Sequence, residues 1–298
     1  MVSRLYIPGL ADYGRCKESF LRAEELLAQG LTDESRTELS SLRDMLEGNP
    51  GAVDFLKAEF GEGYVNVYLR LSDACLPAFL LDEHAADGGR KRLPIEWYDY
   101  WAAVTDGRVM ASMGDLYGAF KAINKMHSGS EQEMAKAKSL LLSLRDDFDW
   151  SGKGNWLIAG TRLFHFGNSL ETRIVQHYRC DRPELIKETV LEVPVYRGTA
   201  VEKIVGEQRG LAYFQALFDT QDDGEEILQN VEFVSGKRRD DIVGWTANTS
   251  TSDTQYTRAS HPKRAVGFDC GADQFHVLGD NIYGSPGCSR GVRRGGRA

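Results

Sequence analysis

In the first third of the chain, apolar residues recur three and four positions apart, the spacing of one face of a helix. Phe20, Leu21, Ala23, Leu26 and Leu27 mark a helix that stops at Gly30. Leu39, Leu42, Met45 and Leu46 mark a second, which begins near Thr32 and is closed by Gly48-Asn49-Pro50. A third, short helix covers 53–60. An aromatic group follows at Trp97, Tyr98, Tyr100 and Trp101, and such a group ordinarily packs in a core or an interdomain face. Ser130-Glu131-Gln132-Glu133 reads as a capping box, in which serine and glutamate satisfy each other's orphan backbone N–H groups. A helix is therefore expected to run on through Leu140, Leu141 and Leu144.

The period changes after Ser151-Gly152-Lys153-Gly154-Asn155. This loop is the expected domain boundary. It lacks the GxxxxGK[ST] spacing of a phosphate loop. Beyond it, 156–159, 162–166 and the alternating 190–196 predict strands, while 171–178 and 201–218 predict helices. Acidic residues over 219–226 predict a loop or a helix start, and strand-like pieces recur at 231–234, 242–245, 265–268 and 275–278. The expected fold class is α+β, with a helical part over 1–150 and a part over 151–298 built from many short strands.

Composition narrows the function. The 298 residues are 42% hydrophobic and 27% charged, as in ordinary globular chains. The net charge is −8, yet the last fourteen residues carry four arginines and no acid, which leaves −12 on the rest. An acidic body lacks the basic face a general nucleic-acid binder needs. No run of about 18 apolar residues predicts a membrane span, and the first fifteen residues lack the apolar core of a secretory signal. A cytoplasmic protein, or one delivered to a host cell by a specialised secretion route, is expected. Five cysteines with no CxxC point to free thiols rather than a disulfide framework or a zinc site, with Cys180 near His177 the closest approach to a paired site.

Two motifs carry candidate chemistry. Val195-Tyr196-Arg197-Gly198-Thr199 is a strand ending in Arg-Gly, and Ser250-Thr251-Ser252 closes a strand-like run from Trp245. A guanidinium presents a fork of donors that matches phosphate oxygens. A glycine beside it lets a ligand approach the backbone, and small hydroxyls donate and accept without filling a pocket. Together they could hold a dinucleotide, in a fold other than the Rossmann type because no GxGxxG follows a strand. Taken separately, Arg197 reads as a surface ion pair, and 250–252 as a polar edge strand or a hydroxyl-bonded turn.

In order and spacing, aromatic-Arg-Gly, a helical stretch and then Ser-Thr-Ser 53 residues after Arg197 resemble the mono-ADP-ribosyltransferases of the arginine–serine–glutamate class. That class includes bacterial toxins, injected effectors, phage enzymes and vertebrate ectoenzymes. The resemblance covers 190–252, extends loosely from Trp156 to the end, and does not reach 1–150. It implies an ADP-ribosyltransferase-like split β-sandwich with flanking helices, NAD as the substrate and a protein side chain as the acceptor. Arg197 would bind the NAD phosphates and Gly198 would hold the nicotinamide amide through its backbone. Ser250 would order the ribose and the catalytic glutamate, and Thr251 and Ser252 would complete the strand wall. The implied catalytic pair is Arg197 and Ser250.

The pattern breaks at its third element. The class carries a Glu-x-Glu or Gln-x-Glu whose last glutamate stabilises the oxocarbenium-like state as nicotinamide leaves. No glutamate follows Ser252 in this chain, and the expected place, near 288–295, reads CSRGVRRG. On sequence alone, such a Gly/Arg run is an out-of-frame terminus or a solvated, disordered tail. The nicotinamide-stacking aromatic expected after Ser-Thr-Ser has Tyr256 and Phe268 as candidates. A second expectation is therefore a catalytically inactive NAD-binding or protein-interaction module on the same fold.

Overall fold

The computed structural model describes residues 10–28, 81–105, 108–128, 131–166, 169–246, 263–281 and 286–293, with isolated positions between 38 and 58. The chain divides into two compact units, Met1–Leu76 with Arg294–Ala298, and Pro77–Arg293. The division lies near residue 76, so the loop at 151–155 is inside the larger unit and does not separate domains. In the smaller unit, helix α1 (Leu10–Ala28) buries Cys16, Phe20 and Ala23, one stripe at helical spacing. The second and third predicted helices fall largely outside the described residues.

The larger unit is mixed α/β. Helix α2 (Pro94–Ala102) starts on a proline, and the Glu96 carboxylate accepts the Leu93 N–H at 2.8 Å. Its buried face is Trp97, Tyr98 and Trp101, the core role expected of these aromatics. Strand β1 (Arg108–Met110) leads into helix α3 (Met113–Met126), capped by a reciprocal pair. Ser112 Oγ accepts the Asp115 N–H at 3.1 Å, and Asp115 accepts the Ser112 N–H at 2.8 Å. Helix α4 (Glu131–Asp147) is where the capping box predicts it, burying Ala137, Leu140 and Leu144. A single turn, α5 (Trp150–Lys153), follows.

Then come strands β2 (Leu157–His165), β3 (Glu171–Gln176), β4 (Lys187–Glu192) and β5 (Arg197–Ala200), and helices α6 (Val201–Val205), α7 (Gln208–Phe218) and α8 (Gly224–Ser235). Strands β6 (Ile242–Thr246), β7 (Lys263–Cys270), β8 (Phe275–Asn281), β9 (Cys288–Ser289) and β10 (Gly291–Arg293) complete the unit. The large sheet runs β4-β3-β2-β7-β8-β6-β5, with β6 and β8 parallel and the other neighbours on this path antiparallel. On the α7 side Tyr117 stacks on Phe218 at 4.6 Å, and Phe120 meets Phe268 at 5.1 Å, so aromatic packing ties helix α3 to α7 and to the sheet.

Several elements differ from the sequence expectation for definite reasons. Of segment 171–178, residues 171–176 form β3 rather than a helix and the rest turns, because β2 and β4 supply ladder partners on both sides and Thr172, Ile174 and Val175 suit a sheet. Segment 231–234 lies in α8, where the Asp223 carboxylate caps the Glu226 N–H and Ile227, Val231 and Val234 share one buried stripe. The strand expected over 190–196 ends at Glu192. The helix expected over 201–218 divides around Gly206 and Glu207.

The largest correction concerns the C-terminal arginine run. It is not a solvated tail as far as Arg293. Strand β9 pairs in parallel with the first residues of β2, and β10 pairs antiparallel with β1. Arg290, between them, is 1% exposed. Its Nη1 donates to the carbonyls of Asp82 and Glu83, each at 2.8 Å, its Nη2 donates to Ser143 Oγ at 2.7 Å, and its Nε donates to Asp147. A buried guanidinium is tolerable when its donors and charge are matched in this way. Burial pushes the Asp147 carboxyl above its ordinary range, against the opposing pull of Arg290.

Candidate functional site

The Arg-Gly motif stands at an edge of the large sheet. Arg197 opens β5 and is exposed, and it is registered opposite Trp245 of β6. The junction is fixed by Thr246. Its N–H donates to the Tyr196 carbonyl at 2.9 Å, its Oγ1 accepts the Tyr196 N–H at 2.8 Å, and its hydroxyl donates to the Pro194 carbonyl at 3.0 Å. Tyr196 is buried, and its hydroxyl donates to Glu207 at 3.1 Å. Burial first, and then Glu207, push that phenol up to about 12. The aromatic before Arg197 is therefore an anchor, and Arg197 projects beyond it.

Gly198 has φ +56°, a left-handed conformation that side-chain-bearing residues seldom adopt. A Cβ there would lie 3.0 Å from Cζ2 of Trp245, so the indole fills the space beside the glycine Cα. The indole therefore lies on the Cβ side of Gly198 and leaves its N–H and C=O to other directions. Trp245 meets the His276 ring edge-on at 6.2 Å, and His276 Nδ1 is 2.5 Å from Asp269. The Trp245 Nε1–H is buried and has no hydrogen-bond partner among the described residues.

The structure thus brings Arg197 and Gly198 against the strand that precedes Ser250. Ser250, Thr251 and Ser252 lie outside the described residues, as does Tyr256. Phe268 is fully buried and stacked on Phe275 at 5.6 Å, which makes it a core ring rather than a ligand platform. Cys180 donates its N–H to the His177 carbonyl at 3.0 Å, while burial raises its thiol to about 11, far from a reactive thiolate. In the 151–155 loop the Gly152 N–H is already taken by Asp149 at 2.8 Å.

Three features escaped sequence reasoning. Trp245 is one, because its place over Gly198 depends on the β5–β6 register. The second is Arg162, 5% exposed on β2, whose guanidinium lies 4.5 Å from the Tyr178 ring centroid and 5.4 Å from that of Phe164. Burial lowers its pKa. The third is the buried His177–Asp115 pair at 3.2 Å, at a turn where His177 and Arg179 both have positive φ. None of the three had a local sequence signal. Tyr98, Tyr178 and Trp245 belong to or pack against one apolar cluster with Ile158, Ala265 and Leu278, so the Arg162 and Trp245 surroundings are continuous.

No protein-family model, curated protein or solved structure matches the chain. Among the described residues no helix is long and apolar enough to cross a membrane.

Proposed function

We propose that the chain is an NAD-dependent mono-ADP-ribosyltransferase of the arginine–serine–glutamate type, acting on a protein side chain as a toxin or effector would. One observation carries the reading: Arg197 and the left-handed Gly198 sit at a sheet edge, in register with the strand that leads into Ser250. That juxtaposition gives an anion-binding fork and an approachable backbone on the same strand end. On this reading the Pro77–Arg293 sheet is the split β-sandwich of that class.

In the reaction, the bond between the nicotinamide nitrogen and C1′ of the ribose breaks, and nicotinamide leaves with the electron pair. The acceptor side chain forms the new bond to C1′ and releases its proton to solvent or a base. Arg197 would hold the phosphates, Gly198 the amide, and Ser250, Thr251 and Ser252 the ribose side.

A second reading has its own support. Glu-x-Glu was due near 288–295, and the described part of that segment, 288–293, is built into strands β9 and β10 around a buried arginine and has no glutamate. NAD binding without turnover follows if nothing else supplies that carboxylate. Calorimetry with NAD and a nicotinamide-release assay separate the two readings. Binding with release supports the transferase. Binding without release supports the inactive module. If NAD does not bind, or if Arg197→Ala binds it as the parent does, both readings fail. The expected loss for Arg197→Ala is about tenfold or more, the worth of a charge-assisted phosphate contact.

A further inference from the structure

We infer that Trp245 is the positioning residue of the Arg197–Gly198 site: its indole holds the Gly198 backbone in the left-handed conformation that faces the ligand. The ligand's identity rests on the NAD reading above; the positioning itself rests on geometry.

Three observations converge on this ring. First, Trp245 is the registered partner of Arg197, and the pairing shifts register between Arg197 and Thr199, so the ladder is irregular at Gly198. An irregular ladder leaves that backbone less constrained by hydrogen bonds and more dependent on packing. Second, Cζ2 of the indole occupies the space above Gly198, with a hypothetical Cβ only 3.0 Å away. Third, no hydrogen bond among the described residues fixes the indole, since its Nε1–H has no partner there. Its orientation comes from packing alone, with the His276 edge at 6.2 Å and the aromatic cluster beneath. His276 is itself held by Asp269 at 2.5 Å. A chain of contacts therefore runs from the Asp269–His276 pair through Trp245 to Gly198.

A bulky half-buried indole whose donor is unused is an expensive choice for packing alone. The face it presents to Gly198 accounts for it. A smaller ring would let the glycine relax toward the more populated conformations open to it. The amide and carbonyl at 198 would then point elsewhere. The part of the ligand read by that backbone, a planar ring with a carboxamide, would lose affinity. The phosphate-bearing part, read by Arg197, would not.

The test is a double-mutant cycle on the full chain with Trp245→Phe, Gly198→Ala and the pair, with Trp245→Met as a second ring-deleting variant should Phe disturb folding. Calorimetry is run with NAD and with ADP-ribose, which lacks the nicotinamide. Amide hydrogen exchange is measured over 196–200 without ligand. The expected result is that Trp245→Phe weakens NAD about tenfold and changes ADP-ribose less than about twofold. Adding it to Gly198→Ala should cost no further affinity, because the two act through one backbone. Exchange at Gly198 and Thr199 should speed up by about tenfold while the α7 amides keep their rates. Additive losses, or equal losses for NAD and ADP-ribose, would overturn the positioning role. If the parent binds no NAD, the NAD reading fails; the positioning role is then decided by exchange, where unchanged rates at 198 and 199 overturn it.

Discussion

Two of the Arg-Gly dipeptides in this chain, Arg290-Gly291 and Arg197-Gly198, meet opposite fates. Arg290-Gly291 lies inside the larger unit, with each guanidinium nitrogen bonded and the glycine pressed against Trp101 and Asp82. Arg197-Gly198 lies at the sheet edge, with the arginine exposed and the glycine under an indole. In both places glycine is needed because a ring occupies the space a Cβ would take. The arginines differ because of what surrounds them. Asp147, Ser143 and two carbonyls converge on Arg290 from segments far away in sequence, and they turn a charge that should be solvated into a core residue. Arg197 keeps its access to solvent, which a ligand-binding role requires. An arginine's neighbours in three dimensions, rather than its neighbours in sequence, decide whether it is a structural or a functional group.

The contrast is most directly broken by removing each arginine in turn. Arg290→Ala should destabilise the larger unit by about 3–5 kcal/mol, because it strands the buried Asp147 carboxylate without its charge partner. Arg197→Ala should change stability by less than about 0.5 kcal/mol, the range for exposed positions. Urea unfolding of both variants beside the parent checks this, and similar midpoints for the two would end the distinction.

A smaller effect follows from Gly291→Ala. A Cβ there would meet the Trp101 ring and the Asp82 carboxylate at 2.5 Å. The expected cost is about 1–3 kcal/mol, as for other overpacked sites. A thermal melt indistinguishable from the parent's would mean that β10 can move away from Trp101.

Cys288 reports on the same segment without any substitution. It is 1% exposed, and burial drives its thiol far above the ordinary range. Iodoacetamide at mildly alkaline pH should leave Cys288 unmodified in the native protein and alkylate it in urea, as read by peptide mass spectrometry. Rapid native labelling would show the terminal strands open.

The smallest expected effect concerns a third arginine. Arg239 donates to Glu225 on the surface at 2.5 and 2.7 Å, and this hydrogen bonding lowers the Glu225 carboxyl to about 2. A carboxyl whose folded value is depressed stabilises the fold above its unfolded value, near 4.5. That contribution declines as pH falls through the folded value near 2. Carbon NMR titration should show the depressed midpoint, and Arg239→Gln should return it to the ordinary range. Because the pair is exposed, stability should hardly respond, in contrast to Arg290.

Local periodicity made α4 legible, along with the strands over 242–246, 263–270 and 275–281, because short-range pattern reports which face of an element is buried. It failed at 171–176 and 231–234, where the same apolar residues suit either state and the partner strands, or the Asp223 cap, decide. Of the candidate site, Arg197 and Gly198 stood out as a motif, but as the end of a strand, whereas the preceding strand stops at Glu192 and Arg197 opens β5. The indole over Gly198 was not legible, since nothing within a few residues of Arg197 reveals which side chain a register will place there.

By itself, then, the sequence determined a mixed α/β chain with an acidic body, an Arg-Gly motif, and a terminus lacking the glutamate its pattern called for. Tertiary structure alone decided that the chain divides near residue 76, that Arg290 in the arginine-rich segment enters the core, and that Trp245 lies against Gly198. The physical reason is range. Helix and strand periodicity are set by neighbours a few residues apart. The neutralisation of Arg290 and the packing on Gly198 are set by groups brought together across tens to hundreds of residues, and these exist only once the sheet has formed.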